Sequence, residues 1–134
     1  MSDVLFTRKF EQDGFTVIVD HVYDPTMECD TPEVASQNYD SDDADKAKYF
    51  AQDKARYDSW CNDDWRYIGI SVTIRKQTAS KWADGGLEVG RASIWGIESD
   101  SDAAYLATIE AETVSEAFGE VAALKLVLCT AEVA

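Results

Sequence analysis

Asp40, Asp42, Asp43 and Asp45 are packed into one short stretch of the chain. Carboxylates at that density can chelate a hard cation, work as an acid–base pair, or present charge to a basic partner. The first option fails on spacing. Counted from Asp40, the fifth position of a calcium loop falls on Ala44, the sixth on Asp45 where glycine is needed, and the twelfth on Ala51 where Glu is needed. The run Glu98, Asp100, Asp102 also lacks the loop glycine and the terminal Glu. No metal site and no cofactor is expected. Paired carboxylates of the glycosidase kind carry no information here, because among 26 acids some pair always lies at a suitable distance.

Nucleophilic chemistry has little to work with. His21 is the only histidine, and strand alternation places it with Val17, Val19 and Tyr23 on a core-facing side, as a structural residue. Cys61 could meet it in space, but no local motif marks a cysteine nucleophile. Cys29, Cys61 and Cys129 are odd in number and form no C-x-x-C pair. That pattern predicts buried, inert thiols and a reducing compartment. Gly85-Gly86 precedes a strand rather than a helix, so it reads as a hairpin turn and not as a phosphate loop. No catalytic residue is expected.

Charge is the strongest signal. The segment from Asp24 to Asp45 holds eight carboxylates and no Lys or Arg, and Glu98 to Ala134 holds eight against Lys125 alone. Together they account for the net charge of -14. Such an excess repels itself in a compact chain. It disfavours nucleic acid and anionic membranes as direct ligands and favours basic protein surfaces. No apolar run approaches the ~18 residues of a membrane span, and Met1-Ser2-Asp3-Val4 lacks the features of a secretion signal, so a soluble cytoplasmic protein is expected.

Elements must hold these charges. Val4 to Phe10 and Phe15 to Tyr23 are β-rich runs joined by an Asp13-Gly14 turn. Thr26 to Tyr39 shows no clear period. A helix is expected over about 42–60, with Phe50, Lys54, Tyr57 and Cys61 on a modest apolar stripe. Trp65 to Lys76 alternates Ile68, Ile70, Val72 and Ile74 onto one face, and Leu87 to Ile97 is its partner, with a bulge near Gly90. A last helix is expected from Asp102 to about Leu128. Leu106, Ile109, Ala117, Val121, Leu124 and Leu128 form its apolar stripe. The 134 residues suit a single domain. The order ββαββα predicts an α+β fold, a four-stranded antiparallel sheet with two helices on one face.

Asp64-Trp65-Arg66-Tyr67-Ile68-Gly69-Ile70 and Ala92-Ser93-Ile94-Trp95-Gly96-Ile97-Glu98-Ser99-Asp100, with Tyr105-Leu106 after them, resemble a group of small acidic proteins encoded by bacteriophages and prophages. The resemblance covers roughly residues 60 to 120. It brings no catalytic residues. It implies phage origin, the cytoplasm of the host cell, and a setting in which small acidic proteins inhibit host defence as DNA-mimicking anti-restriction or anti-CRISPR proteins. Read structurally, the same residues offer a Trp65–Trp95 stack across a hairpin.

The expectation is therefore a non-enzymatic protein that occupies a basic surface of a host protein. Glu112, Glu116 and Glu120 recur every four residues, which spaces them by about 6 Å along a helix. That is close to the ~7 Å between phosphates along a DNA strand. Asp40, Asp42, Asp43, Asp45 and the loop residue Trp82 complete the expected partner surface. The alternative is a small enzyme or ligand-binding domain with an aromatic and carboxylate pocket.

Overall fold

A computed structural model describes residues 3–39, 43–77 and 86–133. It begins with a hairpin of β1 (Val4–Gln12) and β2 (Phe15–Tyr23). Asp13 and Gly14 turn it, with φ of 54° and 82°. Two consecutive positive φ values make the tight turn whose twist matches paired strands, and Asp-Gly tolerates them best. After β2 come one helical turn, α1 (Pro32–Ala35), and a 3-10 turn (Ser36–Asn38). Then follow α2 (Asp43–Cys61), β3 (Tyr67–Lys76), β4 (Leu87–Glu98) and α3 (Ala103–Val133). The four strands form one antiparallel sheet in the order β1-β2-β3-β4.

Alternation decides which side becomes core. Phe15, Val17 and Val19 of β2 and Ile68, Ile70, Val72 and Ile74 of β3 are buried together, and the register pairs Val17 with Ile74 and Val19 with Val72. Helix α3 covers that side with Val114, Ala117 and Val121, supported by half-buried Leu106, Ile109 and Phe118. Close approach of α3 depends on Gly90. A Cβ there would lie 2.6 Å from the Ala117 carbonyl oxygen.

The expected bulge is present: Ile74 faces Gly90 while Arg75 faces Glu88. A second irregularity sits at the other end of the pair, where Ile70 faces Ile94 but Ile68 faces Ile97. Gly96 there takes φ of 75°, a conformation glycine adopts without cost. Trp95 in this bulge does not stack on Trp65. Its ring lies on Gly69, where a Cβ would be 2.2 Å from Trp95 Cε3. Trp65 is buried instead against Tyr67, with ring centroids 5.1 Å apart.

Of the two long helices, α3 is the one laid on the sheet. Helix α2 packs on α1 and the 3-10 turn. Its expected stripe is weakly buried: Phe50, Lys54 and Cys61 are exposed and only Tyr57 is half-buried. Polar and aromatic ties hold it. Tyr39 donates to Asp53 and packs on Tyr49, with ring centroids 5.8 Å apart. Burial and the Asp53 hydrogen bond push the Tyr39 hydroxyl up to about 12. Arg56 makes a two-pronged bridge to Asp100 at 2.5 and 2.7 Å, reaches Glu98 at 3.1 Å, and lies 3.6 Å over the Trp65 ring. The Trp65 indole in turn donates to the Arg56 carbonyl oxygen at 3.2 Å. A planar guanidinium suits both tasks at once.

Cys29 and Cys61 are free thiols, the first half-buried and the second exposed. The exposed position of Cys61 departs from the inert buried thiol expected for it. Burial pushes the Cys29 thiol up, which lowers its thiolate fraction and its reactivity. The Cys129 side chain lies outside those described. With an odd number of cysteines and no C-x-x-C pair, mass measurement of the native protein should show three free thiols, and a limiting dose of alkylating reagent should label the exposed Cys61 before Cys29. An intramolecular disulfide in the protein as expressed would contradict this.

Candidate functional site

The expected acidic helix face exists as a surface. Glu112, Glu116 and Glu120 are all exposed on α3. Steps of four residues rotate each side chain by about 40° from the last, so the row winds from solvent toward the β4 side of the helix. Glu120 reaches that side and accepts from the Arg91 backbone N–H at 2.9 Å. Among the described residues Glu112 and Glu116 form no ion pair. Several cations are already engaged elsewhere: Arg8 with Glu110, Lys54 with Asp58, Arg56 with Glu98 and Asp100, and Arg91 with Glu88.

Asp40, Asp42 and Trp82 lie outside the described residues, and Asp43 is described only as the first residue of α2. Asp45 is exposed in the first turn of α2. Glu28, Asp30 and Glu33 of the acidic segment are exposed around α1. Asp24, from the same segment, has a different role. It is buried, 3% exposed, and its carboxylate accepts from the Thr26 hydroxyl at 2.7 Å, the Thr26 N–H at 3.0 Å and the Gly96 N–H at 3.1 Å. The Thr26 hydroxyl leads the hydrogen bonds that hold its carboxyl below the usual range. Asp24 therefore fastens the end of β2 to the Trp95–Gly96 bulge of β4.

His21 has a partner that its strand position alone could not show. His21 Nε2 lies 2.6 Å from Glu110 Oε1 on α3, and Arg8 Nη2 donates to Glu110 Oε2 at 2.8 Å. The His21 and Glu110 side chains are 17% and 14% exposed. Phe6 closes edge-on over the imidazole, with ring centroids 5.2 Å apart. This Arg8–Glu110–His21 cluster ties β1 and β2 to α3. Burial pushes the Glu110 carboxyl up, but hydrogen bonds from His21 and Arg8, with the Arg8 charge, outweigh it and leave the carboxyl below its ordinary 4.5. A carboxylate depressed in the fold stabilises above its unfolded pKa and loses that contribution as pH falls through the folded value. Glu110→Gln should thus cost about 2 kcal/mol near neutrality, the scale of a charged hydrogen bond. Its deficit against wild type should shrink below about pH 4.5. Urea melts of both chains from neutral to acid pH check this, and a deficit unchanged in acid would contradict it.

Three cavities border these clusters. A cleft of about 480 Å³ runs between β1 and α3, with Arg8, Phe10, Glu110 and Phe118 among its walls. A second, of about 310 Å³, lies under Trp60, Trp65, Arg66 and Tyr67. A third, of about 420 Å³, is bounded by Asp3, Val22, Tyr23, Asp24, Thr26 and Trp95. Among the described residues no group of three or more His, Cys, Asp or Glu side chains is placed to hold a metal ion. No helix among them is long and apolar enough to cross a membrane. No family model, no curated protein and no solved structure matches this chain.

Proposed function

We propose that this chain is an acidic binding protein that occupies a basic, nucleic-acid-binding surface on another protein. Its setting would be a phage-infected bacterial cytoplasm and its effect the inhibition of host defence. The observation that carries this reading is the Glu112, Glu116, Glu120 row: exposed, regularly spaced on a long helix, with Glu112 and Glu116 lacking ion pairs among the described residues. Like charges at that spacing cost a helix a few tenths of a kcal/mol per pair. A helix fastened along the sheet can carry that cost and hold the spacing fixed, which a flexible acidic tail cannot. The acids of 24–45 add to the field and would steer encounter with a basic groove. The test is capture on the immobilised protein from a bacterial lysate at low and high salt. A retained basic nucleic-acid-binding protein that elutes with salt, and that duplex DNA displaces, supports the reading. A retained partner that neither salt nor DNA releases would sink it.

A second reading is favoured by the cleft between β1 and α3, where Phe10 and Phe118 line the apolar part and Arg8 and Glu110 the polar part. Such a cleft fits a small-ligand domain. In that case Glu110→Gln would change ligand binding as well as stability.

A further inference from the structure

The cavity at the Trp95 bulge combines three features that packing alone does not require. Trp95 is 51% exposed although it is the largest side chain on its strand. Its ring is laid flat on the sheet by Gly69, whose position leaves no room for a Cβ beneath it. A large aromatic held rigid with one face toward solvent is the usual anchor of a binding surface. Next, Asp24 borders the cavity and keeps its carboxylate buried just behind the surface. Hydrogen bonds from Thr26 and Gly96 hold it, and among the described residues no Lys or Arg bridges it. A buried carboxylate without a cation leaves a negative potential in the space it borders. Finally, Tyr23 is 40% exposed, and its ring already has the Arg66 guanidinium 5.9 Å above its centroid. Asp3 is drawn to the same rim, because its carbonyl oxygen accepts from the Tyr23 N–H at 3.0 Å. Among the described residues no Lys or Arg lines this cavity.

From this geometry we infer that the cavity of Trp95, Tyr23, Asp3 and Asp24 receives an arginine side chain of the partner protein. The inference rests on the reading of the chain as a binder of basic proteins and names a second contact for it, separate from the α3 row. Arginine fits better than lysine. Its guanidinium is planar and stacks on a flat ring, and its N–H fork reaches a carboxylate at the same time. At about 420 Å³ the cavity has room for one such side chain with some water.

The test uses the full chain and three blocked tripeptides, Gly-Arg-Gly, Gly-Lys-Gly and Gly-citrulline-Gly. Citrulline keeps the shape of arginine without its charge. The readout is the indole N–H resonance of Trp95, assigned by its disappearance in Trp95→Phe. The arginine peptide should move that resonance saturably and bind more tightly than the lysine peptide. The citrulline peptide should bind roughly three- to tenfold more weakly than the arginine peptide, the range of one cation–aromatic contact. Asp3→Asn acts on an exposed side chain outside the core, and it should weaken arginine binding while leaving the melting temperature unchanged. Equal binding of arginine and citrulline peptides, or shifts confined to other resonances, would overturn the inference. Glu112→Gln, Glu116→Gln and Glu120→Gln together should not change the arginine titration. If that triple variant also captured partner as well as wild type, the helix-face reading would fall while the arginine site stood.

Discussion

Ile70→Asp should abolish the cooperative thermal transition seen by circular dichroism. Ile70 is fully buried at the middle of β3, between His21 on one neighbouring strand and Ile94 on the other. It belongs to the buried apolar cluster that also holds Ile68 and Val72 of its own strand. The N–H groups of a central strand are spent on its two neighbours, and the one polar side chain across the ladder, His21, is already engaged by Glu110, whose own charge would repel a second carboxylate. Burying such a group costs several kcal/mol, against a total stability of about 5–15 kcal/mol for a domain. Protonation relieves part of the cost and leaves a buried polar group in its place. A melt like that of wild type would mean that β3 presents its other face to α3.

Gly90→Val tests the helix–sheet contact rather than the sheet. The new side chain would begin 2.6 Å from the Ala117 carbonyl oxygen and 2.8 Å from Val121 Cγ2. Backbone cannot swing aside as a side-chain tip can, so α3 must lift. Overpacking of this kind costs about 1–3 kcal/mol and more where backbone is the obstacle. A loss of roughly 10 °C in melting temperature is the corresponding scale. Gly119, on the exposed side of the same helix, has nothing within 4 Å of its would-be Cβ. Gly119→Ala should raise stability by about 1 kcal/mol through helix propensity. Opposite signs for these two substitutions would fix which side of α3 meets the sheet. Equal small effects would contradict the packing described.

Period-2 alternation made β2 and β3 readable, because each buries one face on α3 and the pattern survives in Val17, Val19, Ile68, Ile70, Val72 and Ile74. Asp13-Gly14 was readable for a similar reason, since its two positive φ values admit few residue types. Helix α3 showed its stripe as far as Val121, although the exposed Leu124 lies outside the buried part and Val114 belongs in it; the Leu128 side chain lies outside those described. The connection from β2 to α2 was not readable. Its one-turn α1 rests on a local cap, in which the Thr31 hydroxyl accepts from the Val34 N–H, and no apolar period announces it. The position of α2 was equally hidden, because Arg56 and Trp65 fix it rather than an apolar face.

The candidate sites divide in the same way. Exposure of the Glu112 row followed from helical spacing opposite a buried stripe. The Arg8–Glu110–His21 cluster joins residues about a hundred positions apart, and the Asp24–Gly96 bond joins residues 72 apart. Neither leaves a local signature. The platform under Trp95 depends on the register that brings Gly69 opposite the bulge, and a one-residue slip would have buried or freed the ring.

The most direct test of the account is displacement of DNA from the captured partner. A labelled duplex bound to that partner is followed by fluorescence anisotropy while the acidic chain is added. The wild-type chain should release the duplex, and added salt should weaken its grip. The triple variant Glu112→Gln, Glu116→Gln, Glu120→Gln should need about tenfold more protein for the same release, because three charges acting through one summed field are removed together. Its unchanged melting temperature would show that the fold is intact. If wild type and the triple variant release the duplex at the same concentration, or if wild type binds the partner without releasing DNA, the α3 acids do not stand in for phosphate and the proposed function is wrong.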